Sequence, residues 1–220
     1  MTLTLPEEIM LLMLDDATGR PVELPAPAGD WVIAAAILME LCLEERIATE
    51  GGRLVVRNPR PSGDPVLDEA MGLIAAGAKP QGRDCRHSIL ALGRRAEDFR
   101  ARLLERLVSK GVLREEDGGV LRFLADPRYP KGPQGEAEVR EVRARLRRVL
   151  LEKQPPDHRD ALLIGLMRAA GLVPLLLSPE EEVLAEARVE EVAALEELGR
   201  SLSGLTREVF AVMLALAGTR

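Results

Sequence analysis

Residues 29–47 (GDWVIAAAILMELCLEERI) predict a helix that is apolar on nearly all sides until Glu44. A helix of this kind is stable in water only when other elements cover most of its surface. Asp30 stands where an N-terminal cap is expected. The segment therefore predicts a helix that is buried on most sides within a globular domain.

The composition fits a helical protein built around such a core. The chain has 220 residues, of which 46% are apolar, 30% charged and only 2% aromatic. Leu, Ala, Arg and Glu dominate, and these residues favour helices. The length suffices for a sizeable core, and we expect one domain over residues 1–220. The net charge of −6 argues against a general nucleic-acid binder.

The amino-terminal stretch LTLPEEIMLLML predicts a short buried helix. A secretory signal needs basic residues ahead of its apolar run, and no Lys or Arg precedes Arg20. A membrane span needs about 20 apolar residues, whereas the run here covers only residues 9–14. Pro6 followed by two glutamates is typical of a first helical turn. We expect three side chains of this helix to lie in the core: Ile9, Leu12 and Met13.

Further helices and two hairpins are predicted along the rest of the chain. Gly51 and Gly52 between two short apolar runs indicate a hairpin. A loop is expected over 76–84, a second hairpin over 112–127 and a linker over 129–137. Six further helices are predicted over 62–76, 94–111, 136–153, 156–173 (capped by Asp157), 178–202 (capped by Ser178) and 205–218. The expected fold is mainly α, with a central helical bundle, buried amphipathic helices and two short β-hairpins.

Each predicted hairpin follows directly from a helix, and the two units share a sequence pattern that ends in a Gly-Gly pair. A helix that runs into a hairpin is the layout of a winged helix, so a DNA-binding regulator is the alternative function. The tip of the second hairpin, residues 115–117, is acidic and would repel phosphates. The helix before the first hairpin is too apolar to lie in a groove of DNA. Nucleic acid is therefore not the expected partner.

Motifs of catalysis or metal binding are absent from the sequence. It contains no G-x-S-x-G, Walker loop, H-E-x-x-H or cysteine pair at metal spacing. His87 and His158 have no evident nucleophile as a partner. We expect no enzyme, no metal and no cofactor. The remaining candidates are interpreted structurally: Asp15 and Asp16 in a turn, Cys42 and Cys85 as buried free thiols.

Five arginines crowd the predicted helix over 136–153. They are interleaved with Glu138 and Glu141, which favours a solvated face. The alternative is contact with anionic lipid headgroups, where each charge near the surface contributes about 1 kcal/mol. The five are Arg140, Arg143, Arg145, Arg147 and Arg148.

Four segments occur in a set order ahead of a predicted hairpin and a helical C-terminal half. They are LTLPEEIMLLMLDDATG, ILMELCLEERI, DPVLDEAM and RARLLERLVSKGVL. In this order the chain resembles the Golgi phosphoprotein 3 family, from about Leu3 to Ala217. The resemblance implies a mostly helical, non-enzymatic adaptor that binds phosphatidylinositol 4-phosphate and the cytoplasmic tails of membrane proteins. An excess of Arg over Lys favours a bacterial member. We expect the protein to be cytoplasmic and peripheral at the membrane surface.

The resemblance also assigns a lipid pocket, formed in the family by a loop Trp and three Arg. The corresponding positions here lie near Pro25 and at Ala34, Glu97 and Arg100, while Trp31 is expected to pack into the core. Only Arg100 matches, and Glu97 places a negative charge where a phosphate would lie. We therefore expect weak lipid binding without strong headgroup preference. The expected lipid-binding residues are Arg100 and, as a looser anionic site, Arg94, Arg95 and Arg102.

In the family the second hairpin helps to build oligomers, so the resemblance implies a homo-oligomer. A free two-stranded ribbon is marginal in water. The apolar side chains of residues 112–127 are therefore expected to meet protein, either the body of the same chain or a second copy. The hairpin residues assigned to this contact are Val112, Leu113, Val120, Leu121 and Phe123.

Overall fold

The computed structural model describes residues 3–22, 28–50, 53–76, 83–114 and 128–198, together with residues 209, 211–213 and 215. Helices predominate, which confirms the predicted mainly α fold. The helices are α1 (Leu5–Leu12), α2 (Ala28–Leu43), α3 (Pro65–Ala76), α4 (Cys85–Gly93), α5 (Ala96–Ser109), α6 (Pro133–Leu151), α7 (His158–Ala169) and α8 (Pro179–Leu198). The strands are β1 (Ile47–Glu50), β2 (Arg53–Val56) and β3 (Arg83–Asp84), and a 3₁₀ turn covers Val173–Leu175.

Helix α2 lies at the centre of the fold, as its apolar sequence predicts. Helices α1, α4, α5 and α7 pack against it, and every side chain from residue 32 to residue 42 is buried. The expectation that Asp30 caps this helix is wrong, because α2 already begins at Ala28 and Asp30 lies inside its first turn. The Asp30 carboxylate pairs instead with Arg100 of α5.

Helix α1 is buried along its whole length. Thr4 and Glu7 form a capping box, in which the Thr4 backbone N–H donates to Glu7 Oε2 at 2.8 Å. Ile9, Leu12 and Met13 are all buried in the core, as predicted. The amino-terminal segment is therefore an internal element of the fold.

The first hairpin forms as predicted, but it belongs to a larger sheet. Strands β1 and β2 pair antiparallel, with Ile47 opposite Val56 and Glu50 opposite Arg53. Strand β3, which was not predicted, pairs antiparallel with β2 and gives the strand order β1-β2-β3. Ile47 and Leu54 point into the core from this sheet.

Two boundaries differ from the prediction around α4 and α6. Residues 85–93 form α4, which the sequence did not reveal, and the helix predicted over 94–111 begins only at Ala96. The predicted linker over 129–137 is shorter than expected because α6 begins at Pro133. The fixed φ of proline and its missing N–H suit a first helical position.

The carboxyl-terminal helices confirm their predicted caps. Asp157 accepts a hydrogen bond from the Asp160 backbone N–H at 2.7 Å, and Ser178 Oγ accepts one from Glu181 at 3.3 Å. The predicted end of α8 at residue 202 lies outside the described residues. Of the helix predicted over 205–218, the described residues are helical, and Val209 lies in the core.

Residues 115–127 of the second predicted hairpin lie outside the described residues, but the base of this segment is described. Val112 and Leu113 are buried in the core of their own chain. Leu113 forms an antiparallel bridge with Lys131, and the Arg114 N–H donates to the Pro130 carbonyl at 2.9 Å. The two ends of the segment are thus held together by backbone pairing.

Two glycines allow the chain to pack closely around this base. Gly19 has φ +65°, and a Cβ there would lie 2.5 Å from the Pro130 nitrogen. A Cβ at Gly135 in α6 would overlap the carbonyl oxygen of Val112. Both positions therefore require the absence of a side chain.

Candidate functional site

The candidate site is built on residues 83–102, which we call the basic segment. It covers β3, α4 and the first half of α5, and it carries six arginines against three acids in a chain of net charge −6. The exposed arginines among them are Arg86, Arg94, Arg95 and Arg102. This part of the surface thus has the opposite charge to the chain as a whole.

Two short helices give the basic segment its shape. Asp84 caps α4 by accepting the His87 backbone N–H at 3.2 Å, and α4 buries one face that includes Ile89 and Leu92. Arg94 and Arg95 lie in the turn between α4 and α5, where both side chains are exposed. Helix α5 buries an apolar face that includes Phe99, Leu103, Leu104 and Leu107.

A cleft of about 640 Å³ lies between α5 and the first turn of α3. Three of its lining residues are arginines spaced seven and four residues apart, which places them on one face of α5. The opposite wall is formed by Pro65 and Val66. The three arginines are Arg95, Arg102 and Arg106.

Acidic side chains partly neutralise this cleft. Glu69 of α3 lies between two arginines, 3.0 Å from Arg95 Nη2 and 2.9 Å from Arg102 Nη1. Asp98 accepts a hydrogen bond from Arg95 Nε at 2.5 Å, which raises the pKa of Arg95. The Arg95 and Arg102 side chains remain 43% and 46% exposed. Ion pairs this exposed are weak, so both guanidinium groups can still meet other anions.

Arg106 was not predicted as part of the site, and it has a structural role. Its guanidinium lies 2.9 Å from Asp64 Oδ2 at the start of α3 and 3.2 Å from Glu7 Oε1 of α1. The spacing of Arg95, Arg102 and Arg106 on one helix face was the signal in the sequence. Arg106 therefore links α5, where it lines the cleft, to the start of α3 and to the buried helix α1.

Three of the five arginines of α6 are half-buried and paired within the fold, so the interpretation of the run as a mostly solvated face is wrong for these three. Arg143, Arg145 and Arg147 are ion-paired, because α6 packs against α1, α7 and α8. Arg140 and Arg148 are exposed. The ion-pair partners are, in order, Asp16, then Glu8 with Asp160, then Glu181. Hydrogen bonding from Arg147 lowers the pKa of Glu181 to about 2.

The other candidates for chemistry have structural surroundings. Asp15 closes a turn by accepting the Thr18 N–H at 2.7 Å, as predicted. Cys42 and Cys85 are buried and form no disulfide with each other, also as predicted, and burial raises the pKa of Cys42 to about 11. His87 is exposed and pairs with Asp84. Within the described ranges, no three or more His, Cys, Asp and Glu side chains are arranged to hold a metal ion.

The family model for Golgi phosphoprotein 3 (GPP34) matches residues 5–210. The chain belongs to the Golgi phosphoprotein 3 family. The matched range begins at the first residue of α1 and extends beyond the end of α8, which confirms the resemblance seen in the sequence. No curated protein matches the chain. In the part of the chain that the structure describes, none of the helices has the length and apolar character needed to cross a bilayer.

The positions that the resemblance assigns to the lipid pocket of the Golgi phosphoprotein 3 family have different surroundings in this chain. Arg100 donates from Nη2 to Asp30 Oδ1 at 3.0 Å. Ala34 is buried and contributes no charge, whereas Glu97 is exposed. Trp31 is half-buried and lies against Gly93, as expected for a core contact. Pro25 lies outside the described residues.

The four arginines that were expected to bind lipid lie on two different surfaces of the protein. Arg100 lies five residues beyond Arg95, which turns it to another side of α5, toward α2. Arg94, Arg95 and Arg102 remain exposed on the basic segment. A headgroup at the family position would thus meet one arginine that is already paired, and one acid.

The five hairpin residues that were expected to contact a second copy of this Golgi phosphoprotein 3 family member also fall into two groups. Val112 and Leu113 are covered by their own chain, which leaves them unavailable to a second copy. Val120, Leu121 and Phe123 lie outside the described residues. Oligomer contact through this hairpin therefore stays a prediction.

Proposed function

We propose that this protein is a non-enzymatic adaptor that associates reversibly with anionic membrane surfaces through the basic segment. Family membership supports an adaptor at a coarse level. The observation that carries the membrane contact is the group of exposed arginines on α4, on α5 and in the turn between them, set in a chain of net charge −6. The cytoplasmic tail of a membrane protein is the second partner that such an adaptor joins to the surface.

The proposed binding is weak and depends on salt. Each arginine near an anionic surface contributes about 1 kcal/mol, and Glu69, Glu97 and Asp98 reduce the local charge. Charge attraction between exposed groups is screened over about 8 Å at physiological salt. The affinity should therefore fall steeply as the salt concentration rises.

We expect no selectivity for one phosphoinositide over other anionic lipids. The arginine at the family position, Arg100, already has an internal carboxylate partner in Asp30. A phosphate entering there would have to displace that carboxylate and approach Glu97. The exposed arginines offer charge without a cavity shaped around a single headgroup.

Vesicle flotation tests this proposal. We expect binding to vesicles with phosphatidylserine and, at equal total charge, with phosphatidylinositol 4-phosphate to similar extents. We expect no binding to pure phosphatidylcholine and a strong loss of binding between low and physiological salt. The variant Arg100→Ala should bind like the intact protein, because Arg100 pairs with Asp30.

Two outcomes would contradict the proposal. One is tight binding that requires phosphatidylinositol 4-phosphate and is abolished by Arg100→Ala. The other is the absence of binding to any anionic vesicle at low salt. A DNA shift assay at matched salt is the companion measurement, since a DNA-binding regulator would bind the duplex more tightly than the vesicles.

A further inference from the structure

The cleft between α3 and α5 is lined by charges of both signs. Its volume of about 640 Å³ lies within the range of small-molecule sites. With Glu69, which contacts two of the arginines, the cleft brings three cations together with three acids. A ligand of a single charge sign inside the cleft would therefore meet repulsion as well as attraction. The charged lining residues, all on α5, are Arg95, Asp98, Arg102, Glu105 and Arg106.

The three arginines of the cleft differ in how firmly the fold already holds them. Arg95 and Arg106 each contact two carboxylates of their own chain. Among the described residues, Arg102 contacts one, Glu69 at 2.9 Å, and its side chain remains 46% exposed. Arg102 is therefore the guanidinium best placed to bind an anionic group of a ligand.

Two hydrogen-bond acceptors follow Arg102 along the cleft. Glu105 is exposed and has no ion-pair partner among the described residues. It lies three residues after Arg102, so the two side chains are neighbours on the helix surface. Ser109 follows four residues later, and its hydroxyl donates to the Arg106 carbonyl at 2.8 Å. The Ser109 oxygen can therefore act as an acceptor beside the Glu105 carboxylate.

We propose that this cleft binds a phosphoethanolamine group, with the phosphate on Arg102 and the ammonium on Glu105 and Ser109. A two-carbon link joins the two charges of this group, which suits charged side chains one helical turn apart. Its ammonium offers three N–H donors to the two acceptors. The trimethylammonium of phosphocholine offers none. Exposed Pro65 and Ala101 line the cleft and supply apolar contact for the link.

This cleft is separate from the position that the family resemblance assigns to a lipid phosphate. A helix turns by about 100° per residue, so Arg100 lies nearly opposite Arg102 on α5, where it pairs with Asp30 of α2. Glu105 and Ser109 lie beyond the end of the basic segment. The arginines of that segment attract anionic surfaces in general, and the two acceptors add the selectivity. The inference deepens the proposed membrane association and rests on it when the group belongs to a lipid.

Phosphatidylethanolamine and free phosphoethanolamine carry the same group, so two measurements separate these sources. The first is flotation with two kinds of vesicle that contain the same fraction of phosphatidylglycerol, which has no amine. The remaining lipid is phosphatidylethanolamine in one and phosphatidylcholine in the other. We expect the intact chain to bind the first kind about fivefold more tightly, the gain of one exposed ion pair.

The ratio of the two affinities is compared between matched variants. Glu105→Gln keeps the size of the side chain but removes its charge, and we expect the ratio to fall to about one. Glu186→Gln removes the same charge from an exposed position on α8, outside the cleft, and should keep the fivefold ratio. General effects of net charge cancel in this ratio.

The second measurement is titration with free phosphoethanolamine or free phosphocholine, followed by amide NMR. A soluble source predicts shifts at residues 102–109 with phosphoethanolamine alone, and their loss in Glu105→Gln. Equal binding to the two kinds of vesicle, together with no selective shift, would overturn the proposal. So would a preference for phosphatidylethanolamine that survives Glu105→Gln. Failure to bind either kind of vesicle at low salt would contradict the membrane association instead, and the titration would then decide whether the cleft binds the free group.

Discussion

Deletion of residues 1–14 is expected to abolish cooperative folding. The described part of this segment places eight aliphatic side chains in the core: Leu3, Leu5, Ile9, Met10, Leu11, Leu12, Met13 and Leu14. Removing a buried Leu, Ile or Met side chain costs about 2–5 kcal/mol each, whereas a whole domain is stable by about 5–15 kcal/mol. The summed cost of losing these buried side chains therefore exceeds the free energy of unfolding of the whole domain.

Circular dichroism during urea unfolding measures this effect. The intact chain should show one cooperative transition, and the deleted chain should show none. Deletion of residues 1–2 alone is the control, and the conservative variant Ile9→Val should lower the free energy of unfolding by only about 0.5–1.5 kcal/mol. A truncated chain that still unfolds cooperatively would contradict this prediction and would favour a role of the segment as a membrane or partner anchor.

Replacement of Glu7 by Gln is expected to lower the free energy of unfolding by about 3–5 kcal/mol. Glu7 is fully buried, and its Oε1 lies 2.6 Å from Lys110 Nζ and 3.2 Å from Arg106 Nε. Breaking this ion pair is costly because the largely buried Lys110 ammonium loses its carboxylate partner, whereas Arg106 keeps Asp64. The same carboxylate also accepts the Thr4 N–H, so the variant weakens the cap of α1.

The effect of this substitution should depend on pH. Burial acts to raise the pKa of Glu7, but hydrogen bonds from Lys110 and Thr4 and the nearby positive charges hold it below its ordinary value of 4.5. Because the native pKa is lowered, the stabilisation is present above about pH 4.5 and is lost as the pH falls through the native value. The difference between the intact chain and Glu7→Gln should therefore shrink in acid.

Urea unfolding at neutral pH and below pH 4.5 measures both parts of this prediction. Glu105→Gln on α5 is the control, because that side chain is exposed and should change the free energy of unfolding by less than about 0.5 kcal/mol. Equal stability of Glu7→Gln and Glu105→Gln at neutral pH would show that the buried ion pairs do not hold α1 in place.

Local sequence signals predicted much of the fold. The all-round apolar character of α2 placed it at the centre, and the Gly-Gly pair located the β1–β2 hairpin. Asp157 and Ser178 act within one helical turn, so their capping roles were visible in the sequence. Helix α4 was missed because Ser88 interrupts the apolar face on which Ile89 and Leu92 lie.

Contacts between distant parts of the chain were beyond local reasoning. The cations that neutralise Glu7 and Glu8 lie up to 151 residues away, as in the hydrogen bond from Arg159 to Glu8. Arg100 and Asp30 are 70 residues apart, so the internal partner of the one matching pocket residue could not be foreseen. The spacing of the α5 arginines was visible, but their pairing with Glu69 required the packing of α3.

The most direct test of membrane association compares two charge-matched triple variants on phosphatidylserine vesicles at low salt. Arg94→Ala, Arg95→Ala and Arg102→Ala remove charge from the basic segment, whereas Arg20→Ala, Arg57→Ala and Arg60→Ala remove the same charge from exposed positions outside it. Since each arginine near the surface contributes about 1 kcal/mol, the first variant should bind at least about tenfold more weakly, and the second should bind like the intact chain. Equal binding by the two variants would contradict the proposal that the basic segment meets the membrane.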